Sequence, residues 1–235
     1  MVLAAGLGLR MRPLTATTAK PLLLLHGRSL LDRALDRLAA AGIGQAVVNA
    51  HWHADQVAAA VAGRGEPRIL LQREGGLLET GGGVARALPH LGPGPFVVAN
   101  GDSVWLDGPR PALARLAAAF DPAEMDGLLL LMRSAQLEGE VGRGDFLLDP
   151  LGRLRRPKER ELAPYLFTGV QLLTPRLFRE APGGAFSLNR LYDRAIEAGR
   201  LFALVHDGVW FHLSTPADLA RAEAAMQAGL AKAPF

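Results

Sequence analysis

Two kinds of apolar pattern alternate along the first half of the chain. Short apolar runs, which predict buried strands, occur at residues 2–5, 45–50, 68–72 and 96–99. Apolar residues at helical spacing predict helices that begin at Leu30, Ala54 and Val84. Ser29 is a suitable N-cap and Gly42 a suitable C′ residue for the first helix. This alternation is typical of a mostly parallel, Rossmann-like α/β sheet with helices on both faces.

The second half has shorter elements. Strands are predicted at residues 127–133, 144–149, 153–156 and 167–173, and helices at residues 109–120, 188–198 and 216–228. Asp207-Gly208 between two apolar runs predicts a hairpin of residues 201–206 and 209–213. The first half of the chain therefore has the clearer βαβ organisation.

Length and composition narrow the class of protein. A chain of 235 residues without a low-complexity linker predicts a single α/β domain. No apolar run approaches the roughly 20 residues of a membrane span, and no signal peptide is evident, so we expect a cytoplasmic protein without a membrane partner. The absence of cysteine excludes disulfides and thiolate catalysis.

The net charge of +3 and the pI of about 9.8 raise the question of nucleic-acid binding. The basic residues are scattered, however, and the one dense run, residues 153–158, has no interleaved aromatic side chains. We therefore expect anionic small molecules, and no nucleic acid, to be the partners.

A glycine-rich segment follows the first strand. Gly6 and Gly8 let backbone N–H groups converge on an anion, and Arg10 and Lys20 add positive charge. A Walker loop would end in Gly-Lys-Ser/Thr, and a dinucleotide fingerprint would have glycine where this chain has Met11. The pattern favours a polyphosphate site; the alternative is a glycine-rich turn with incidental basic residues.

Two further motifs follow later strands. Asn100-Gly101-Asp102 comes directly after an apolar strand, where ligands of parallel sheets collect, and Asp102 offers Mg²⁺ a carboxylate. The alternative for this tripeptide is an ordinary turn. The three glycines of Leu78-Glu79-Thr80-Gly81-Gly82-Gly83, placed before a predicted helix, would let a flat backbone pass close to a ligand; the alternative is a flexible loop.

These motifs carry a family resemblance. Gly-x-Gly-x-Arg-Met-x-Pro-Leu-Thr with its downstream Lys-Pro closely resembles the signature of the sugar-1-phosphate nucleotidyltransferases. Leu-Glu-Thr-Gly-Gly-Gly, followed in order by the motifs at residues 142–146, 167–169 and 185–188, looks like the N-acetylmuramate-1-phosphate uridylyltransferases. The resemblance implies a GT-A-like fold with a nucleotide-binding half (about residues 1–108) and a smaller sugar-phosphate-binding half (about residues 109–235). Hexapeptide repeats are absent, so no β-helix domain is expected.

The resemblance also implies roles for individual residues. The catalytic residues would be Arg10, Lys20 and Asp102. The nucleotide would contact Leu3, Ala4, Ala5, Gly6, Gly8, Arg10, Lys20, Gln72, Glu79, Thr80, Gly81 and Asn100. The sugar phosphate would contact Asn100, Gly144, Asp145, Lys158, Thr168, Gly169 and Ser187. For Lys158, a solvated position in a charged run is the alternative, because its surroundings differ from the family pattern.

The predicted metal ligands differ from those of the family at one position. Where relatives commonly have the aspartate of Trp-x-Asp-x-Gly-Thr as a second metal ligand, this chain has His212. Mg²⁺ is the expected cofactor, with Mn²⁺ as the alternative that suits an imidazole ligand better. Either His212 binds metal, or Asp102, phosphates and water hold Mg²⁺ while His212 only hydrogen-bonds nearby. For the pair His51 and His53, surface or capping roles are expected rather than metal binding.

The implied reaction joins a nucleoside triphosphate, first of all UTP, to a sugar-1-phosphate, first of all N-acetylmuramate-1-phosphate, and releases pyrophosphate. That product would serve cell-wall sugar recycling. Two alternatives stay open: a mannose-1-phosphate guanylyltransferase, and a nucleotide-binding regulatory homologue without turnover. The sequence leaves monomer and homodimer equally open.

Overall fold

The computed structural model describes residues 1–137 and 142–229. Its strands are β1 (Val2–Leu3), β2 (Leu24–Leu25), β3 (Arg28–Ser29), β4 (Gln45–Ala50), β5 (Arg68–Arg73), β6 (Phe96–Asn100), β7 (Val104–Leu106), β8 (Gly127–Arg133), β9 (Leu147–Leu148), β10 (Leu154–Arg155), β11 (Tyr165–Leu173), β12 (Leu201–Val205) and β13 (Val209–Phe211). Its α-helices are α1 (Leu30–Ala40), α2 (Ala54–Val61), α3 (Glu79–Leu91), α4 (Ala112–Ala119), α5 (Asn189–Glu197) and α6 (Pro216–Gln227).

Seven strands form the central sheet in the order β12-β8-β11-β6-β1-β4-β5. β1 is parallel to β4 and β6, β4 is parallel to β5, and β12 is parallel to β8. Only β11 runs against its neighbours β6 and β8. The predicted mostly parallel α/β fold is therefore confirmed, with one antiparallel strand inserted in the middle of the sheet.

Alternate residues of the strands face two separate hydrophobic cores. Val48 and Leu130 pack into the core that also holds the apolar faces of α1, α2 and α4. Val47 and Leu129 pack into the opposite core, under α3 and α5. This two-residue alternation explains why the strands read as continuous apolar runs: both faces of the sheet are covered.

The ends of two helices follow their sequence signals. The Ser29 hydroxyl accepts a hydrogen bond from the Asp32 N–H at 3.0 Å and so caps α1, as predicted. Thr215 and Asp218 form a reciprocal capping box at α6, and Pro216 occupies its first turn. α6 belongs to a third apolar cluster, in which Ala222 and Met226 lie with Met11 of the glycine-rich segment.

The predicted hairpin of residues 201–213 is wrong. β12 joins the main sheet beside β8, whereas β13 pairs with β7. The chain diverges at Asp207-Gly208, where a Cβ on Gly208 would lie 2.1 Å from the Leu106 carbonyl oxygen. The glycine serves this long-range approach to β7 rather than a local two-residue turn.

Other boundaries also shift. The three glycines at residues 81–83 lie inside the first turns of α3 and not in a turn before it, and α3 continues through Pro89 to Leu91. The predicted helix at 109–120 begins only at Ala112, and the predicted strand at 144–149 is confined to Leu147–Leu148. Within the described residues, no helix combines the length and apolar character that crossing a membrane requires.

Candidate active site

A cavity of about 620 Å³ opens at the carboxyl ends of β1, β4 and β6. Ligands of parallel sheets bind at this end of the strands. Its lining includes most of the residues predicted for the nucleotide: Leu3, Ala4, Ala5, Gly6, Gly8, Arg10, Lys20, Glu79, Thr80, Asn100 and Asp102, together with Ser187. The structure thus brings together motifs that are more than 100 residues apart in sequence.

The glycine-rich segment presents free backbone donors to this cavity. Within the described chain, the N–H groups of residues 5–8 donate to no protein acceptor. The Gly8 carbonyl, by contrast, accepts a hydrogen bond from the buried Thr15 hydroxyl at 2.7 Å, and Gly8 has a φ of 62°. A Cβ on Gly8 would lie 3.0 Å from Thr15 and 3.1 Å from Lys20, so only glycine fits this turn without strain. The loop is therefore anchored through the Gly8 carbonyl, while the N–H groups of residues 5–8 remain available to an anion.

Lys20 and Asp102 form an ion pair at the wall of the cavity. The Lys20 side chain is 14% exposed and the Asp102 side chain 30% exposed, so both remain within reach of a bound ligand. Lys20 opens the 3₁₀ turn Lys20–Leu22, and the next residue, Pro21, packs beneath Gly101. Packing of the two motifs against each other holds the lysine beside the carboxylate.

Arg10 lies in the 3₁₀ turn Leu9–Met11 at the exposed rim of the same cavity. No carboxylate of the described residues lies within ion-pair distance of its guanidinium. The rim therefore carries an uncompensated positive charge, which is what an incoming polyphosphate requires.

The carboxylate suited to a metal is Asp102. Among residues 1–137 and 142–229, no three His, Cys, Asp or Glu side chains converge in the manner of a complete protein-built metal site. Mg²⁺ does not need one, because it is commonly held by one or two carboxylates with substrate phosphates and water. A single aspartate that faces the cavity, beside free backbone N–H groups that could bind phosphate oxygens, fits that mode of metal binding.

His212 lies outside the lining of the cavity but close to its charged groups. Burial lowers the pKa of His212 below its ordinary value; Asp218 opposes the shift, and the charges of Arg10 and Lys20 add to it. The ring packs edge-on against Trp210, with 5.5 Å between the ring centroids. His212 is therefore a neutral imidazole near pH 7, and whether it binds metal stays a prediction.

Residues at the start of α3 form the opposite wall. Glu79 is exposed and has a φ of 59°, a conformation that is uncommon for a side-chain-bearing residue. The Thr80 hydroxyl accepts a hydrogen bond from the Leu188 N–H at 3.0 Å, which joins this wall to the segment that carries Ser187. The strained Glu79 backbone is the kind of feature that concentrates at ligand sites.

The glycines of α3 serve packing and not ligand approach. The Gly81 N–H donates to the Phe186 carbonyl at 2.8 Å, and a Cβ on Gly81 would lie 2.3 Å from the Phe186 ring. Gly82 approaches the Gly184 carbonyl just as closely. The expectation of a flat backbone that passes a ligand is therefore corrected: these residues let α3 lie against residues 184–186. Gly81 does not line the cavity.

Gln72 is buried behind the cavity. Its Nε2 donates to the Gly83 carbonyl at 3.0 Å and to Glu74 Oε1 at 3.3 Å. The contact with Gly83 holds α3 on the end of β5. Gln72 is outside the lining, so its predicted contact with the nucleotide stays a prediction.

Two of the residues predicted for the sugar phosphate build a bulge in β11. The Thr168 hydroxyl donates to the Leu130 carbonyl at 2.8 Å, at the register shift between Phe167 and Gln171. Gly169 has a φ of 83°, and a Cβ there would lie 2.3 Å from Ser103 Oγ. These residues bring β11 against the end of β6, and they lie behind the cavity wall rather than on it.

The remaining predicted sugar-side residues lie further along the chain. A Cβ on Gly144 would lie 2.0 Å from the Ala163 carbonyl oxygen, so this glycine permits a close backbone approach. The exposed Asp145 accepts a hydrogen bond from the Phe167 N–H at 2.8 Å. Lys158 is exposed and outside the lining. The structure brings only Asn100 and Ser187 of this group into the cavity.

Seven residues of the lining are absent from the predicted set: Leu7, Leu9, Met11 and Pro21, which lie within the glycine-rich and Lys-Pro motifs, and Asn49, Leu77 and Ser214, which lie outside those motifs. Asn49 has a readable signal, because it is the polar residue near the end of the apolar strand β4, as Asn100 is for β6. Its Oδ1 accepts the Ala4 N–H at 2.8 Å. This side chain takes the place of a backbone partner and explains why β1 ends at Leu3 rather than at the predicted Ala5.

His51 and His53, for which surface or capping roles are predicted, have ring nitrogens near backbone carbonyls; His53 is the N-cap residue of α2, but its side chain makes no capping hydrogen bond. His51 Nδ1 lies 3.0 Å from the Glu74 carbonyl oxygen and His53 Nε2 lies 3.3 Å from that of Ala16. Trp52 between them donates to the Thr15 carbonyl at 3.2 Å. Trp52 and His53 thus fasten the segment after the glycine loop to the start of α2, whereas His51 contacts the residue that follows β5.

Comparison with known proteins identifies the family to which the chain belongs. Residues 1–146 match the family of the MobA-like NTP transferase domain. The chain is 41% identical over 238 residues to N-acetylmuramate alpha-1-phosphate uridylyltransferase of Caulobacter vibrioides, covering 99% of this chain and 97% of that protein. The enzyme of the same name from Neisseria meningitidis is 34% identical over 95% of this chain and 96% of its own length.

A solved structure shares the fold at much lower sequence similarity. A putative glucose-1-phosphate thymidylyltransferase from Bacillus anthracis superposes with a TM-score of 0.79 at 18% identity, over 100% of this chain and 95% of that one. The cavity, its free N–H groups and its Lys20–Asp102 pair thus sit in a nucleotidyltransferase fold. The chain belongs to the family of the MobA-like NTP transferase domain, and it is a nucleotidyltransferase.

Proposed function

We propose that the protein transfers a uridylyl group from UTP to N-acetylmuramate α-1-phosphate and releases pyrophosphate. The observation that carries the proposal is the set of free N–H groups at residues 5–8 beside the Lys20–Asp102 pair in one cavity. The choice of substrates is supported by the two uridylyltransferases, which match this chain over nearly its whole length.

In this reaction an oxygen of the sugar phosphate attacks the α-phosphorus of UTP. The new P–O bond forms as the bond from the α-phosphorus to the oxygen that bridges to the β-phosphorus breaks, and pyrophosphate leaves with that electron pair. Because the second ionisation of a phosphate monoester has a pKa near ~6, the attacking oxygen is already anionic at pH 7. No general base is required, which agrees with a site that offers positive charge and N–H donors.

The residues of the chain supply position and charge. The N–H groups of residues 5–8 hold non-bridging oxygens of the triphosphate, and Arg10 neutralises charge at the rim. Lys20, freed in part from Asp102 by the substrate, stabilises the charge that develops on the leaving pyrophosphate. Donors fixed by the fold stabilise such charge without reorganisation during the reaction.

Asp102 is the residue that would hold Mg²⁺, together with phosphate oxygens and water. A bound ion would supply positive charge that offsets the negative charge of the phosphates. Because His212 lies outside the lining of the cavity, we assign it a hydrogen-bonding role near the site rather than a place in the metal shell. A product of this kind would serve cell-wall sugar recycling in the cytoplasm, which labelling of muramic acid in cells with and without the protein tests.

The direct test is a matrix of pyrophosphate release with UTP, dTTP, GTP and CTP against sugar-1-phosphates, in Mg²⁺ and in Mn²⁺. Turnover confined to UTP with N-acetylmuramate α-1-phosphate supports the proposal. Turnover with GTP and mannose-1-phosphate would keep the reaction class and replace both substrates. Nucleotide binding without pyrophosphate release anywhere in the matrix would contradict catalysis. A higher rate in Mn²⁺ than in Mg²⁺ would return His212 to the metal shell.

A further inference from the structure

A buried carboxylate lies behind the cavity without a cation. Glu74 follows β5 and is 5% exposed. Within residues 1–137 and 142–229, no lysine, arginine or histidine lies within ion-pair distance of it. Burying an unpaired charge is costly, so a carboxylate in this position needs several hydrogen-bond donors.

Three neutral donors surround the Glu74 side chain. Asn49 Nδ2 lies 2.7 Å and Gln72 Nε2 lies 3.3 Å from its Oε1. The Leu78 N–H donates to Oε2 at 3.4 Å. One carboxylate therefore connects the end of β4, the end of β5 and the segment that leads into Glu79 and Thr80 on the opposite wall.

The carboxylate also fixes the orientation of the Asn49 amide. Glu74 in its ionised form only accepts hydrogen bonds, so the NH₂ group of Asn49 must face it. Asn49 Oδ1 then faces the Ala4 N–H, where it accepts at 2.8 Å. Ala4 immediately precedes the free donors of residues 5–8, so the direction of this one amide sets where the glycine loop begins.

The surrounding helix keeps the pair in place. A Cβ on Gly83 would lie 2.9 Å from Asn49 Nδ2 and 3.1 Å from Glu74 Oε1. The bare glycine lets α3 close directly over the pair, and Gln72 binds the Gly83 carbonyl from the other side at 3.0 Å. The Asn49–Glu74 pair is thus packed as tightly as a core contact, although Asn49 itself lines the cavity.

We propose that Asn49 and Glu74 are positioning residues for the nucleotide: through one relay of hydrogen bonds they set the glycine loop on one side and the Leu78–Thr80 segment on the other. The inference rests on the proposed function only in taking this cavity as the nucleotide site. It predicts that breaking the relay weakens nucleotide binding more than it affects the sugar phosphate.

The test is an exchange of the two side-chain types. Glu74→Gln alone turns a donor toward either Asn49 or the Leu78 N–H, and Asn49→Asp alone sets two carboxylates against each other. We expect each to raise KM for UTP by about tenfold or more, with little change in KM for the sugar phosphate. In the double variant N49D/E74Q, the new Gln donates to the new Asp, which still accepts from Ala4, and its carbonyl still accepts from Leu78; the longer contact from Gln72 Nε2, at 3.3 Å in wild type, is lost. We expect KM for UTP to return to within about threefold of wild type.

A matched control removes a buried hydrogen bond elsewhere. Tyr192 donates to Gln171 Oε1 at 2.6 Å beneath the sheet, away from both loops. Tyr192→Phe should lower the melting temperature and leave KM for UTP unchanged. If KM for UTP rises as much as in the Glu74 and Asn49 variants, then general destabilisation is enough to raise it, and the proposal is overturned.

Two further results would overturn it: a Glu74→Gln enzyme with wild-type KM for UTP, and a folded double variant that binds nucleotide no better than the single variants. If a single variant fails to fold, direct titration of nucleotide into the double variant decides the matter. If the wild-type enzyme uses another nucleotide, UTP is wrong as the proposed substrate. The positioning roles of Asn49 and Glu74 are then tested with the same variants and the nucleotide that the enzyme binds.

Discussion

Gly6 in the cavity lining and two glycines of the predicted sugar-phosphate set have opposite surroundings. On the nucleotide side, Gly6 has no atom within 4 Å of where its Cβ would lie, and the N–H groups around it are free. On the sugar side, Gly144 and Gly169 have protein atoms 2.0 Å and 2.3 Å from that point, and the neighbouring polar side chains bond within the fold. Open space beside a glycine of the cavity lining leaves room for a ligand, whereas protein atoms at the Cβ position show that the glycine permits close packing.

The largest effect should come from the charge on the nucleotide side. Lys20→Ala removes a cation that faces the phosphates, so we expect kcat/KM to fall by roughly 10²–10³. The ion pair that it loses is partly exposed, so the melting temperature should change little. Steady-state pyrophosphate release and thermal unfolding of the same preparation measure the two effects.

Lys158→Ala is the matched control for Lys20→Ala, because Lys158 is exposed and outside the cavity lining. We expect its kinetic constants to stay within about twofold of wild type. A selective rise in KM for the sugar phosphate would instead support the role that the family resemblance implies for this lysine. A Lys20→Ala protein that does not fold would count against a role for Lys20 in catalysis.

Gly169→Ala should break the architecture of the sugar side. The left-handed φ of 83° and the clash with Ser103 together predict a loss of about 2–4 kcal/mol in the free energy of unfolding. Gly152→Ala separates the two causes, because Gly152 has a φ of 82° and its nearest non-neighbouring atom is 3.5 Å from the Cβ position. Urea unfolding of both variants should show a clearly smaller loss for Gly152→Ala; equal losses would mean that the approach to Ser103 is unimportant.

Gly6→Ala should produce the reverse result on the nucleotide side. The new methyl group meets no protein atom, so stability should be unchanged, whereas it enters space that the triphosphate uses. We expect kcat/KM to fall by about tenfold. A variant that keeps full activity would show that the phosphates pass further from this loop.

A smaller effect should appear in the pH dependence of stability. His206 Nε2 lies 3.0 Å from the Leu106 carbonyl oxygen and 3.3 Å from that of Val209, so this nitrogen carries the proton, and its buried Nδ1 has no partner within the described chain. Burial lowers the pKa of His206 below its ordinary value of 6.5, although these carbonyls oppose the shift. The unfolded chain therefore takes up the second imidazole proton, on Nδ1, more readily than the folded chain does. The free energy of unfolding consequently falls as the pH drops below about 6.5. Denaturant unfolding at pH 7.5 and 5.5 should show a shallower fall for His206→Gln.

Much of the fold could be predicted because its signals are local. The alternation of apolar runs, the cap at Ser29 and the start of the last helix at Pro216 depend on neighbours in sequence, and the structure confirms them. The hairpin failed because Asp207-Gly208 has the local chemistry of a tight turn, whereas the position of β13 is decided by β7, about a hundred residues earlier. The predicted division into halves near residue 108 stays a prediction.

The site divides in the same way. The glycine loop, Lys20 and Asp102 belong to contiguous motifs, so their meeting could be expected from strand topology. Asn49 and Glu74 belong to no motif, and their importance depends on contacts across 45 and 25 residues of chain. The roles of Thr168 and Gly169 could not be predicted either, because a bulge and a close approach are properties of the assembled sheet.

The packing of α6 with Met11 has a consequence for how the protein is made. Residues 1–146, which carry the family match, leave the ribosome before β11, the strand that separates β6 from β8, and long before α6. The glycine loop thus emerges first and gains its apolar support last. A chain that stops short of residue 216 would therefore retain every phosphate-binding motif but lack the packing of α6 against the glycine-rich segment. Truncated products of translation should therefore be inactive rather than partly active.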